Sequence, residues 1–143
     1  TPDVAEVHAR QFERELAEIR EHFSRTEPVS VFLEIWHRPL LTVSGEHLIS
    51  EAIRSCGGRN VFAGPDAITV RVSRERLLGA QPEAIVTSGY GSEARAAWRG
   101  LEQLPAVRRG RIYAVDAELL HAQGPRVLEG VRVLCERLER ARQ

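Results

Sequence analysis

Residues 29–36 read VSVFLEIW, with Glu34 as the one charged residue. A β-branched, apolar run this short and this nearly unbroken is the pattern of a strand covered on both faces. Two similar runs follow, AIVTS at residues 84–88 and RIYAV at 111–115. Around them apolar residues recur at helical spacing. Val4, Val7, Phe12, Leu16, Ile19 and Phe23 predict one long amphipathic helix over residues 3–24, stopped by Glu27-Pro28, because the residue before a proline is driven out of the helical region. Leu48, Ile49, Ala52, Ile53 and Cys56 mark a second helix, which Gly57-Gly58 ends. A loop through Gly64-Pro65 leads to a strand-like piece around Val70 and Val72. Ser73 then caps a helix over 74–80, closed by Pro82. A helix over 93–100 lies between the second and third strands, and a final helix over 126–140 buries Leu128, Val131, Leu134, Cys135 and Leu138. Strands alternating with helices in this way predict a three-layer α/β domain: an open, mostly parallel sheet with helices on both faces, preceded by the long helix.

The 143 residues suit one globular domain. Twenty arginines offset twenty acids, and no lysine occurs, so no global field draws in a nucleic-acid backbone or an anionic membrane. No apolar run approaches the roughly 20 residues needed to cross a bilayer. The chain lacks methionine and opens directly on a helical pattern, the expectation for a fragment whose upstream part is missing. Cys56 and Cys135 are compatible with two buried thiols or with a bridge closing a long loop; composition does not choose between them.

In an open parallel sheet, ligands bind outside the carboxyl ends of the strands. That rule selects three loops. Trp36, His37, Arg38, Pro39 and Leu40 follow the first strand. Gly89, Tyr90 and Gly91 follow the second, and residues 116–123, with Leu119, Leu120 and His121, follow the third. Two aromatics, two histidines and several apolar side chains are thereby expected along one edge, a surface suited to a large, partly apolar ligand held by area and a few hydrogen bonds. The plainer alternative has Trp36 capping the core, Tyr90 in a turn, and His37 and His121 as ordinary loop histidines.

Gly89-Tyr90-Gly91-Ser92 lacks the spacings of phosphate-cradling loops, and no HExxH, CxxC or GxSxG occurs. Glu34 lies within a strand and Asp116 after one, with nothing in the sequence to pair them as acid and base. A small enzyme using His37, His121 and Asp116, or a metal-ion receptor, stays as an alternative from another class.

The run VFLEIWHRPLLTVSGEHLISEAIRSCGGRNVF at residues 31–62 resembles the start of the carboxy-terminal lobe of the cobalamin-binding proteins of ABC importers, within a wider group that binds siderophores and haem. The similarity continues through VSRERLLGAQPEAIVTSG (72–89), LPAVRRGRIYAV (104–115) and GPRVLEGVRVLCERL (124–138). The resemblance implies that residues 1–26 are the end of the helix joining two lobes and that 27–143 form the carboxy-terminal lobe, the amino-terminal one being absent. It implies a binder rather than an enzyme, at the periplasmic or extracellular face of the cytoplasmic membrane. The membrane is met there only through the permease or a lipid anchor outside these residues. No cofactor or resident metal is implied: the cobalamin or related metal chelate is cargo.

By the same resemblance Ile35, Trp36, His37 and Pro39 fall on the cleft wall, and with Leu40, Tyr90, Leu120 and His121 from the strand-end rule they are the candidate ligand-binding residues. A family aromatic aligns with Ile35, one position before Trp36, and a family tryptophan falls near Thr69, where this chain has none. Glu75 corresponds to a glutamate that docks on arginines of the permease. Cys56 and Cys135 match a pair that is bridged in cobalamin-binding members. The face left by the absent lobe is a candidate dimer surface.

Overall fold

The computed structural model describes residues 3–23, 27–35, 38, 40–43, 48–62, 69–88, 94–115 and 125–141. In chain order its elements are α1 (Val4–Phe23), β1 (Val29–Glu34), β2 (Leu41–Val43), α2 (Leu48–Ser55), β3 (Gly58–Asn60), β4 (Thr69–Arg71), α3 (Arg74–Ala80), β5 (Ala84–Ser88), α4 (Ala94–Ala97), α5 (Pro105–Arg108), β6 (Ile112–Val115) and α6 (Pro125–Arg140). Four strands make a sheet of order β3-β1-β5-β6, parallel at every pairing. The expected mostly parallel α/β sheet is what forms.

All six residues of β1 are buried, as an inner strand of a doubly covered sheet requires. Its side chains alternate between two cores. Val29, Val31 and Leu33 face a core shared with Ile19 of α1, Ala52 and Ile53 of α2, and Leu128, Val131, Leu134 and Leu138 of α6. Phe32 faces the opposite core, with Leu77 of α3, Trp98, Leu104 and Ala106 of α5. Helices thus cover both faces. In α1 the predicted apolar stripe is buried only toward its end: Ile19 is 4% exposed, whereas Val4 and Val7 are 66% and 45% exposed.

Several local expectations change. Gly57 does take the left-handed cap conformation, φ 79°, but Gly58 is not part of a helix stop: it begins β3, paired with Val29. Gly-Arg-Asn has little intrinsic strand preference, and its pairing is decided by the open edge of β1 beside it. The segments before and after it, which form a second, two-stranded sheet, also differ from expectation. Leu41–Val43, for which the sequence predicts no element, pairs antiparallel with Thr69–Arg71. The strand-like piece therefore ends at Arg71 rather than Val72, and it belongs to a two-stranded sheet apart from the main one. Strand β1 stops at Glu34, short of Ile35, whose N–H donates to Leu41 C=O at 3.0 Å instead of to a neighbouring strand of the main sheet.

Ser73 caps α3 as expected, its hydroxyl accepting from Arg76 N–H. The stop is Gln81, in the left-handed region at φ 47°, where its side chain donates to Leu78 C=O at 2.8 Å and so compensates an uncommon conformation for a residue with a Cβ. The helix expected over 93–100 is four residues long, and α5 had not been expected at all, although Pro105 at its first position and Gly110 beyond its end are the standard punctuation of a helix. Cys56 and Cys135 are joined, with Cα atoms 4.6 Å apart, tying the end of α2 to α6.

Candidate functional site

The register of the sheet fixes where the three candidate loops begin. Glu34 at the end of β1 is level with Thr87, and Ser88 at the end of β5 is level with Val115, the last residue of β6. Since all three strands run the same way, the chain leaves them at one rim, across roughly 10 Å for two strand spacings. The chain passes from β1 through α2 to β3 on one side. It then reaches β5 on the other side of β1 through α3, on the opposite face. The order reverses between β1 and β5, and that is where an open α/β sheet forms its crevice.

Of the residues expected to line that crevice, Trp36, His37, Pro39, Tyr90, Leu120 and His121 lie outside the described residues, as does Asp116. Ile35 and Leu40 are described, both half-buried, and they diverge. Ile35 packs on the core of α1, α2 and α6, and Leu40 on the core of α3 to α5. Leu40 C=O accepts from Val72 N–H at 2.9 Å, which carries the chain from the rim into the β2–β4 pair. The two residues therefore bracket the first loop from opposite faces of the sheet.

Sequence reasoning passed over what lies just beneath the rim. Glu34 is fully buried, beside fully buried Thr87 in the register, with Thr42 of β2 also fully buried. A buried carboxylate is costly unless paired or hydrogen-bonded, and Glu34 is not left without an interaction there. The signal for it was present, an acid inside an otherwise apolar strand. Glu75 stands exposed in the first turn of α3, where a carboxylate is favoured by the helix dipole. Among the described residues no group of three or more histidine, cysteine, aspartate or glutamate side chains is placed to hold a metal, and no helix is long and apolar enough to cross a membrane.

No family model matches the chain. The vitamin B12-binding protein of Vibrio parahaemolyticus is 31% identical over 139 residues, covering 96% of this chain and 50% of the relative. That of Photorhabdus laumondii is 31% identical over 144 residues, covering 96% and 49%. The crystal structure of the periplasmic vitamin B12-binding protein BtuF of Vibrio cholerae superposes with a TM-score of 0.80 at 31% identity, over 94% of this chain and 53% of that one. A periplasmic haem-binding protein, RhuT from Roseiflexus, gives 0.81 at 26% identity, over 96% and 56%.

The chain therefore carries the fold of the periplasmic binding proteins and spans about half the length of the curated relatives it matches. Within that class it is a relative of the vitamin B12-binding proteins along nearly its whole length, and the named relatives are binding proteins rather than enzymes.

Proposed function

We propose that this chain is the carboxy-terminal half of an extracytoplasmic substrate-binding component of an ABC importer, which captures a corrinoid or related metal chelate and presents it to the membrane permease without chemistry. Residues 1–26 are the end of the helix that joins two lobes, and 27–143 are one lobe. The observation that carries the reading is the parallel rim with its reversal between β1 and β5, in a chain related to vitamin B12-binding proteins. In this reading Trp36, His37, Pro39 and Leu40 after β1, Tyr90 after β5, and Leu120 and His121 after β6 are the ligand-binding residues, while Ile35 anchors the first loop to the core. A broad, partly apolar shelf of this kind holds a flat macrocycle by contact area. The exposed end of α1, with Val4 and Val7, faces the other lobe. The disulfide fits the oxidising compartment in which such proteins work. Glu75 docks the lobe on cationic residues of the permease.

Because the shelf is one wall of a cleft, titration calorimetry with cyanocobalamin is expected to show weak or unmeasurable binding to this chain and tight binding to the longer protein that contains both lobes. Tight binding by these 143 residues would sink the half-site reading. Trp36→Ala in the longer protein is expected to lower affinity about tenfold, the loss of one stacked aromatic. Haem is the second ligand to titrate, since haem-binding proteins share the fold at 26% identity and Thr69 stands where the family carries a tryptophan.

A further inference from the structure

Strand β6 is the last of the main sheet, and among the described residues no strand pairs with its outer side. Ile85 N–H donates to Arg111 C=O at 3.0 Å. Peptide groups alternate in direction along a strand, so Arg111 and Tyr113 bond toward β5, whereas Ile112 and Ala114 turn their N–H and C=O groups outward. A cavity of about 500 Å³ runs along that side, between β6 and the last turn of α6. Ile112 and Ala114 line it together with Arg109, Arg111, Arg137 and Arg140, and none of its lining residues is acidic. Arg111 already has an interaction within the chain. The guanidinium groups of Arg109, Arg137 and Arg140 make no hydrogen bond or ion pair among the described residues, although Arg137 is half-buried. The carbonyl end of α6 favours cations, which accounts for the sign of Arg137 and Arg140. It does not account for Arg109 and Arg111, which come from the approach to β6 and add like charge to the same cavity. A single charge on an edge strand is enough to turn a stray strand away. Four arginines converging on one cavity, in a chain of zero net charge, make a local field that favours an anionic partner.

We infer that this edge receives an extended acidic segment of a partner protein, which adds a strand beside β6 and sets carboxylates against Arg109, Arg137 and Arg140. The outward C=O groups of Ile112 and Ala114 decide for a peptide. A free anion has no donor for them, whereas an extended chain meets them with its N–H groups and meets the outward N–H groups with its carbonyls. Side chains alternate along a strand, so acids at every second position fall together on the α6 side, where the arginines stand. A second copy of this chain does not fit, because pairing β6 with β6 brings two sets of arginines together. The inference is independent of Glu75 and of the cargo, since no rim-loop residue and no residue of α3 lines the cavity.

The test titrates a fluorescent peptide of about eight residues, alternating glutamate and valine, with the longer protein that contains this chain, and reads anisotropy. Saturable binding is expected, weakening on the order of tenfold between about 50 and 500 mM salt. The same peptide with lysine in place of glutamate should not bind. Arg137→Gln with Arg140→Gln is expected to weaken binding on the order of tenfold. Ala114→Pro deletes one outward N–H, leaves the ladder to β5 intact and is expected to weaken binding about fivefold. Thermal unfolding of both variants should stay close to the parent's. Should the proline variant not fold, glutamate-valine peptides N-methylated at alternate residues, in either phase, probe the same hydrogen bonds from the partner's side, and one phase is expected to lose binding. Equal affinity for the N-methylated and unmodified peptides would leave an anion site without strand addition and overturn the inference. No binding by the parent, or binding that either folded variant keeps at full strength, would overturn it too. Self-association in sedimentation velocity that disappears in Ala114→Pro would assign the edge to a second copy of the chain, against the inference.

Discussion

The two faces of the central sheet are built differently. One is covered by α1, α2 and α6, of 20, 8 and 16 residues, and is bolted by the Cys56–Cys135 bridge. The other is covered by α3, α4 and α5, of 7, 4 and 4 residues, with no covalent tie among the described residues and an aromatic group, Phe32, Phe62 and Trp98, at its centre. Short helices bury little surface each, so that face depends on one large side chain, while the long-helix face spreads its stability over many residues. Glu75, in the first turn of α3, lies on the short-helix side. The long-helix face is the more extensively packed, and the proposed docking residue, Glu75, is on the other.

The sharpest way to break this contrast is to open the bridge. Reduction, or Cys56→Ala with Cys135→Ala, releases a loop of 79 residues and is expected to cost about 4–5 kcal/mol by the chain-entropy model. Urea unfolding with and without reductant measures it, and coincident transitions would show that the long-helix face needs no bolt. Trp98→Ala, on the opposite face, should cost about 3 kcal/mol or more through the cavity it leaves. It should loosen α3 and α5 in hydrogen exchange before α2 and α6; uniform loosening of both faces would mean that they unfold as one. Gly58→Ala tests the scaffold's tightness, because a Cβ there would stand 2.8 Å from Ile53 Cγ2 and 3.1 Å from Ile53 C=O and Leu138 Cδ1. Overpacking of this kind is expected to cost about 2 kcal/mol, and a thermal midpoint equal to the parent's would show that β3 can shift. The smallest effect, about 1 kcal/mol, belongs to Ser73→Ala, which removes the α3 cap. Ser73→Asp should restore most of it, and failure to do so would detach the loss from capping.

How much was legible follows the same division. On the long-helix face α6 was read residue by residue, Leu128, Val131, Leu134, Cys135 and Leu138 all being buried as their spacing required, whereas Val4 and Val7 of the α1 stripe are exposed. On the other face α5 and β2 were missed, the strand-like piece around Val70 was seen without its partner, and α4 was drawn too long. Elements of three or four residues hold too few side chains to show a period. Of the candidate site, the location of the rim was legible, because strand alternation with helices dictates parallel pairing. That Ile35 and Leu40 part to opposite faces was not, because it depends on the reversal that hydrogen-bonds Ile35 to Leu41.

By itself the sequence determined the buried strands, the long amphipathic helices, the cap at Ser73 and hence the layered α/β class, since each of these is set by side chains within a few residues of one another. The tertiary structure alone decided that Gly58–Asn60 is a strand, that Cys56 meets Cys135, and that Arg109 and Arg111 meet Arg137 and Arg140 around one pocket. Those outcomes depend on which segments pack together across the sheet, and local periodicity carries no information about partners that far along the chain.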